Sequence, residues 1–157
     1  MCCIEIQQKM LNNSFFIDSC VFLGILIKDK NTRACKSFIS RVNNDVYIGY
    51  ISPFVTGEMI NSILYDNKIK NELKPDMLHA VVDLLISVKV NNFVLSKNAM
   101  KVYSELREAD ERISESDMMH LVCAKTLDIP LLTTDDMMLK SQGLKKHVNI
   151  ISPSDCH

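Results

Sequence analysis

FFIDSCVFLGIL, residues 15–26, sets two patterns back to back. Phe15, Phe16 and Ile17 form an apolar run without alternation, as a strand buried on both faces requires. Asp18 closes it, and Val21 to Ile27 then reads as a helix. A short buried strand that ends on an acid and runs straight into a helix is the opening of a β–α unit. The chain on either side is therefore read for further units of the same kind.

The alternation continues to the end. Thr32 to Val42 places Ala34, Cys35, Phe38, Ile39 and Val42 at helical spacing. Val46 to Ile51 is β-branched and aromatic, a second strand. Ser52-Pro53 then supplies an N-cap and a first helical residue, and the helix carries Val55, Ile60, Ile63 and Leu64. Pro75 opens another helix whose apolar side is read as Leu78, Val81, Val82, Leu85 and Ile86. Phe93 to Leu95 reads as a third strand, and Ser96 as the cap of a helix through Met100, Val102, Tyr103 and Leu106. After the charged stretch from Arg107 to Glu115 comes a helix with Met118, Leu121, Val122 and Ala124. Pro130 to Thr133 and Val148 to Ile151 read as the last two strands. This pattern predicts an α/β fold, a mostly parallel sheet of about five strands with helices on both faces. One domain over residues 1–157 is expected, with its functional loops at the carboxyl ends of the strands.

Composition agrees with a folded domain. The chain has 157 residues, 47% hydrophobic and 24% charged, which excludes a disordered or collagen-like polymer. The formal net charge of −1 gives no global basic field, so any contact with nucleic acid has to be local. Arg33, Lys36 and Arg41, then Lys97 and Lys101, then Lys145 and Lys146 are the candidate cations. No apolar run approaches the roughly 20 residues that span a bilayer. Residues 1–14 lack the pattern of a signal peptide, and a cytoplasmic protein is expected. Cys20, Cys35 and Cys123 sit in apolar stretches and read as small buried hydrophobes. No C-x-x-C pair argues for zinc, and Cys156 and His157 meet Cys2 and Cys3 only if the termini meet.

Four acids fall where a parallel sheet presents its chemistry. Asp18 closes the first strand. Glu58 lies in the first two turns of the helix after the second. Asp117 starts its helix, and Asp135 follows the fourth strand. Each has a bland role available. Asp18 and Asp135 suit helix caps, and Asp117 forms a Ser-x-x-Asp capping box with Ser114. Glu58 is harder to explain, because Val55, Met59 and Ile60 around it are apolar and an acid there needs a partner. Gathered together, such acids repel one another and require a cation. All-oxygen ligands favour a hard ion, Mg²⁺ or Mn²⁺, which suits phosphodiester hydrolysis. His120, three residues after Asp117, reads as a packing residue or a hydrogen-bond partner to the site. No glycine-rich phosphate loop and no Ser-His-Asp spacing offers another mechanism.

The segments FFIDSCVFLGIL (15–26), SPFVTGEMIN (52–61), ISESDMMHLVCAKTL (113–127) and PLLTTDDMML (130–139) together resemble the PIN-domain nucleases, above all the small VapC-type toxins. The resemblance runs in order over essentially the whole chain. It implies a three-layer α/β/α sandwich and metal-dependent endoribonuclease activity on RNA. It assigns Asp18, Glu58, Asp117 and Asp135 as catalytic metal ligands for Mg²⁺ or Mn²⁺. Ser19 and Thr133 match assisting hydroxyl positions, Asn61 is placed one turn along from Glu58, and Asp136 is an acid able to replace or assist Asp135. An antitoxin partner and a homodimer follow from the same resemblance. Two features depart from the pattern: a long lead-in over residues 1–14, and the slightly acidic charge. Two other readings remain open, a PIN-like module that binds RNA or protein without cutting it, and a phosphoacceptor domain. The second needs an acid after the third strand, where Ser96-Lys97 stands.

Overall fold

The structure is a computed structural model, and it describes residues 13–156. Cys2, Cys3, His157 and most of the lead-in lie outside the described residues. Five parallel strands form one sheet in the order β3-β2-β1-β4-β5. They are β1 (Ser14–Ile17), β2 (Ile48–Ile51), β3 (Val90–Asn92), β4 (Leu131–Leu132) and β5 (Ile150–Ile151). Helices link them: α1 (Ser19–Leu26) and α2 (Thr32–Asn43), α3 (Pro53–Tyr65) and α4 (Lys74–Ser87), α5 (Ala99–Ala109) and α6 (Glu115–Leu127), and α7 (Asp136–Lys140). The arrangement is that of an α/β/α sandwich.

The chain builds outward from β1 to β2 and β3, then returns to lay β4 against the other side of β1. That reversal makes the β1/β4 boundary the switch point, where an open parallel sheet leaves a crevice at its carboxyl edge. Register fixes who meets there. Ile17 pairs with Leu132, and the Asp18 amide donates to the Leu132 carbonyl at 3.0 Å. Asp18 and Thr133 therefore leave the sheet side by side.

The central strands are apolar because both faces are covered. Phe16, Ile17, Leu131 and Leu132 are all fully buried. Phe16 and Ile17 continue into a core with Phe22, Phe38, Val55, Met59, Met118 and Leu121. Gly49 of β2 is required by the same crowding. A Cβ there would sit 2.8 Å from Ile17 Cδ1 and close to Val90 and Val42. Gly49→Ala is expected to lower stability by about 1–3 kcal/mol in urea unfolding, the usual cost of overpacking.

Three expectations shift. The third strand is Val90–Asn92, not Phe93 to Leu95. Its pairing runs Gly49↔Val90 to Ile51↔Asn92, and Phe93 adds only one amide bond, to the Ile51 carbonyl at 2.7 Å. As an edge strand, β3 tolerates two asparagines, whereas the β-branched Val94 points to solvent, 74% exposed. Helix α5 begins at Ala99, not at Ser96, which makes only a preceding turn through its carbonyl to the Ala99 amide. On α4, Val81 is buried but Val82 and Ile86 are exposed, so its apolar side is narrower than the sequence suggests.

Candidate functional site

Asp18 begins the site. It occupies the N-cap position of α1, yet its side chain makes no capping bond. The carboxylate turns instead into the crevice and is almost completely buried. Thr133 Oγ1 donates to Asp18 Oδ2 at 2.5 Å, and the Cys20 thiol donates to the same oxygen at 3.1 Å. Those two donors occupy Oδ2. Oδ1 faces the other way, toward Ser19 Oγ at 3.3 Å and His120 Nε2 at 3.5 Å. The cap that the sequence offers Asp18 is therefore not the one it uses.

Glu58 arrives from the second turn of α3, and its side chain is 21% exposed. Ser19 Oγ donates to Glu58 Oε2 at 2.6 Å, and His120 Nε2 lies 2.6 Å from the same oxygen. His120 is fully buried on α6, with its ring 6.1 Å from that of Phe16. Among the described residues, it is the one basic group in ion-pair contact with Asp18 or Glu58. Donor atoms of Asp18, Glu58 and His120 lie within 4.8 Å of one another. That spacing and donor set fit a divalent ion.

Asp117 and Asp135 flank this tight group. The Asp117 amide donates to Ser114 Oγ at 3.2 Å, the capping contact, while Ser114 Oγ donates to Asp117 Oδ2 at 2.6 Å. Burial raises the Asp117 carboxyl, and the charges of Asp18, Glu58 and Asp135 add to the rise against the Ser114 bond. The charges of Asp18, Glu58 and Asp135 thus all reach Asp117. Asp135 Oδ1 accepts from the Met137 and Met138 amides at 2.7 and 2.9 Å, so this carboxylate caps α7. Its amide donates to Thr133 Oγ1 at 3.0 Å, tying the cap to Asp18 through one hydroxyl.

The remaining candidates divide. Ser19 and Thr133 are buried and bonded to Glu58 and Asp18. Asp136 is exposed and pairs with Lys140 at 3.3 Å, away from the cluster. Asn61 is exposed on α3. Cys20 is more than a small hydrophobe, since it bonds to Asp18 and accepts the Thr134 amide at 3.1 Å. The central place of His120 was the part least legible in the sequence. Its signal was the position three residues after Asp117 on a helix whose other inward residues are apolar. Of the candidate cations, Arg41 is committed to structure, donating to Tyr47 Oη at 2.9 Å and the Cys156 carbonyl at 3.0 Å.

The Glu58–His120 pair couples the site to pH. Burial pushes the Glu58 carboxyl up, but bonds from His120, Ser19 and Ser116 and the His120 charge outweigh it and hold it at about 2. Burial pushes His120 down, and the bond to Glu58 with the charges of Asp18, Glu58 and Asp117 reverses this, so it is raised. A lowered acid stabilises the fold above its ordinary value near 4.5, and that stability is lost as pH falls toward about 2. A raised histidine stabilises below its ordinary value near 6.5, and that stability is lost as pH climbs through the raised one. Asp117 opposes Glu58 on the acid side, so the informative quantity is a difference. In metal-free urea titrations, wild type minus Glu58→Gln is expected to shrink by about 2 kcal/mol from pH 5 to pH 2.

Known structures share this fold. The chain is similar in structure to VapBC2 from Rickettsia felis, bound to a DNA fragment from its promoter, with a TM-score of 0.65 at 14% identity, covering 88% of this chain and 98% of that one. It is similar to VapBC-1 from nontypeable Haemophilus influenzae, with a TM-score of 0.64 at 13% identity over 90% and 98% of the two chains. FitAcB from Neisseria gonorrhoeae gives 0.63 at 15% identity over 89% and 98%. At these identities the likeness speaks for the fold. No curated protein matches the chain in sequence. The PIN domain family pattern matches residues 15–143, from the first strand to beyond α7. With that span matched and the parallel sheet in place, the chain belongs to the PIN domain family.

Proposed function

We propose that this protein is a divalent-metal-dependent endoribonuclease that hydrolyses RNA phosphodiester bonds and serves as the toxin of a toxin–antitoxin pair. The observation that carries this reading is the Asp18 carboxylate, which forgoes its helix cap and is gathered with Glu58 and His120 at the β1/β4 crevice. Asp18 and Glu58 would hold the ion, Mg²⁺ or Mn²⁺, with Asp117 and Asp135 adding negative charge at the rim of the same pocket. What a divalent ion supplies at such a site is an acidified water for attack and positive charge for the phosphate oxygens. Thr133 and Cys20 fix the orientation of Asp18, and Ser19 does the same for Glu58.

RNA backbone would meet local cations, with Lys97, Lys101, Lys145 and Lys146 exposed and available and Arg41 withdrawn. The structural neighbours are VapBC and FitAcB proteins, which supports an antitoxin partner for this chain. Exposed Leu64 and Tyr65 at the end of α3, with Val82 and Ile86 on α4, support a protein–protein surface and a homodimer. No helix among the described residues is long and apolar enough to cross a membrane. A cytoplasmic setting fits an RNA substrate.

The experiment is cleavage of a structured RNA by purified protein with Mg²⁺ or Mn²⁺, with and without a chelator. Cleavage that the chelator abolishes and added metal restores supports the reading. One observation favours a second one, a binding module that does not cut: one oxygen of Asp135, Oδ1, is taken up by the helix cap. RNA binding without cleavage at any metal concentration would establish that alternative.

A further inference from the structure

On the metal reading above, we propose that His120 is itself a metal ligand and that its imidazole makes this site prefer Mn²⁺ to Mg²⁺. The acids alone offer only oxygen, which Mg²⁺ accepts readily. His120 adds a nitrogen within 4.8 Å of the Asp18 and Glu58 donor atoms. Imidazole suits transition ions better than Mg²⁺, and Mn²⁺ accepts both nitrogen and carboxylate.

The setting of the ring points the same way. His120 is wholly buried, between Met118 and Leu121, Val122 on an otherwise apolar stretch of α6. Its Nε2 is aimed into the acid pocket, 2.6 Å from Glu58 Oε2 and 3.5 Å from Asp18 Oδ1, and the proton it shares with Glu58 leaves to solvent when the ion takes its place. Its Nδ1 is buried with no hydrogen-bond partner among the described residues. A residue needed only to fill this space would be apolar, because a buried polar atom without a partner is destabilising. The imidazole is explained by what Nε2 does at the pocket. The acids are arranged to match. Thr133 and Cys20 take Asp18 Oδ2, which leaves Oδ1 on the side of Nε2. Glu58 Oε2 faces the same point. The Phe16 ring lies 6.1 Å from the imidazole, on the core side of the site.

The test is pulsed electron paramagnetic resonance of the full chain loaded with Mn²⁺, with calorimetric titration of Mn²⁺ and of Mg²⁺ into wild type and His120→Gln. The wild-type spectrum is expected to show nitrogen coupling to the ion, and isotopically labelled histidine should shift that coupling. In His120→Gln the coupling is lost and the Mn²⁺ affinity falls about 10–100-fold, while the Mg²⁺ affinity changes by less than about threefold. Mn²⁺ bound tightly without nitrogen coupling would overturn the role of His120 and leave the metal reading intact. No Mn²⁺ binding at all would overturn both. The wild-type spectrum decides the matter even if the glutamine variant does not fold.

Discussion

Asp18→Asn is expected to abolish metal-dependent RNA cleavage, a loss of at least about 1,000-fold in rate, equivalent to about 4 kcal/mol of transition-state stabilisation. The reason is local. Asp18 contributes its Oδ1 to the group whose donor atoms lie within 4.8 Å, while its other oxygen is held by Thr133 and Cys20. Asparagine keeps the shape and an acceptor for Thr133 but removes the charge. The fold should survive, since the substitution relieves repulsion of Asp117 by Asp18 as it removes the attraction of Asp18 to His120. Native circular dichroism and a cooperative melting transition, alongside lost cleavage, are the expected pair of results. Lost cleavage together with an unfolded chain would instead assign Asp18 to the core. Unchanged cleavage would remove it from the chemistry.

The second large effect is on stability. Phe16→Ala is expected to cost about 3–5 kcal/mol, read as a shift in the urea midpoint. That is a large fraction of the 5–15 kcal/mol typical of a domain, expressed as an order of magnitude. Phe16 is fully buried in the central strand, pairs with Leu131 of β4, and its ring neighbours His120. The cavity would therefore open directly beneath the site. In a variant that still folds, the Mn²⁺ affinity should fall as well, because the strand that carries Asp18 and the ring that orients His120 lose the same support. An equally large loss of stability with unchanged Mn²⁺ affinity would show that the site does not depend on this packing.

The strands were legible in the sequence wherever burial on both faces forces an apolar run. Phe15 to Ile17 and Leu131 to Leu132 are of that kind. β3 was misplaced by three residues because an edge strand is under no such constraint, so Val90-Asn91-Asn92 carries no apolar signature and the neighbouring Phe93 to Leu95 does. The positions of the four acids could be read from order and spacing, because strand ends and helix starts are set by the fold. What each carboxylate does could not. Asp18 and Asp135 both offer a helix cap in sequence; Asp135 makes it and Asp18 does not. The difference comes from Thr133, across the β1/β4 boundary, and Cys20, in the first turn of α1, which both take Asp18. His120 was read as a packing residue or a hydrogen-bond partner, short of its central place, for a related reason. Its partner Glu58 lies 62 residues away, and no local pattern announces that meeting.

The most direct measurement is anomalous diffraction from a crystal soaked in Mn²⁺. One strong peak is expected between Asp18, Glu58 and His120, at coordination distances of about 2.0–2.4 Å, with Asp117 and Asp135 facing it. A well-ordered crystal with those side chains gathered at the crevice and no density among them, at a Mn²⁺ concentration that supports cleavage, would rule out a metal centre there.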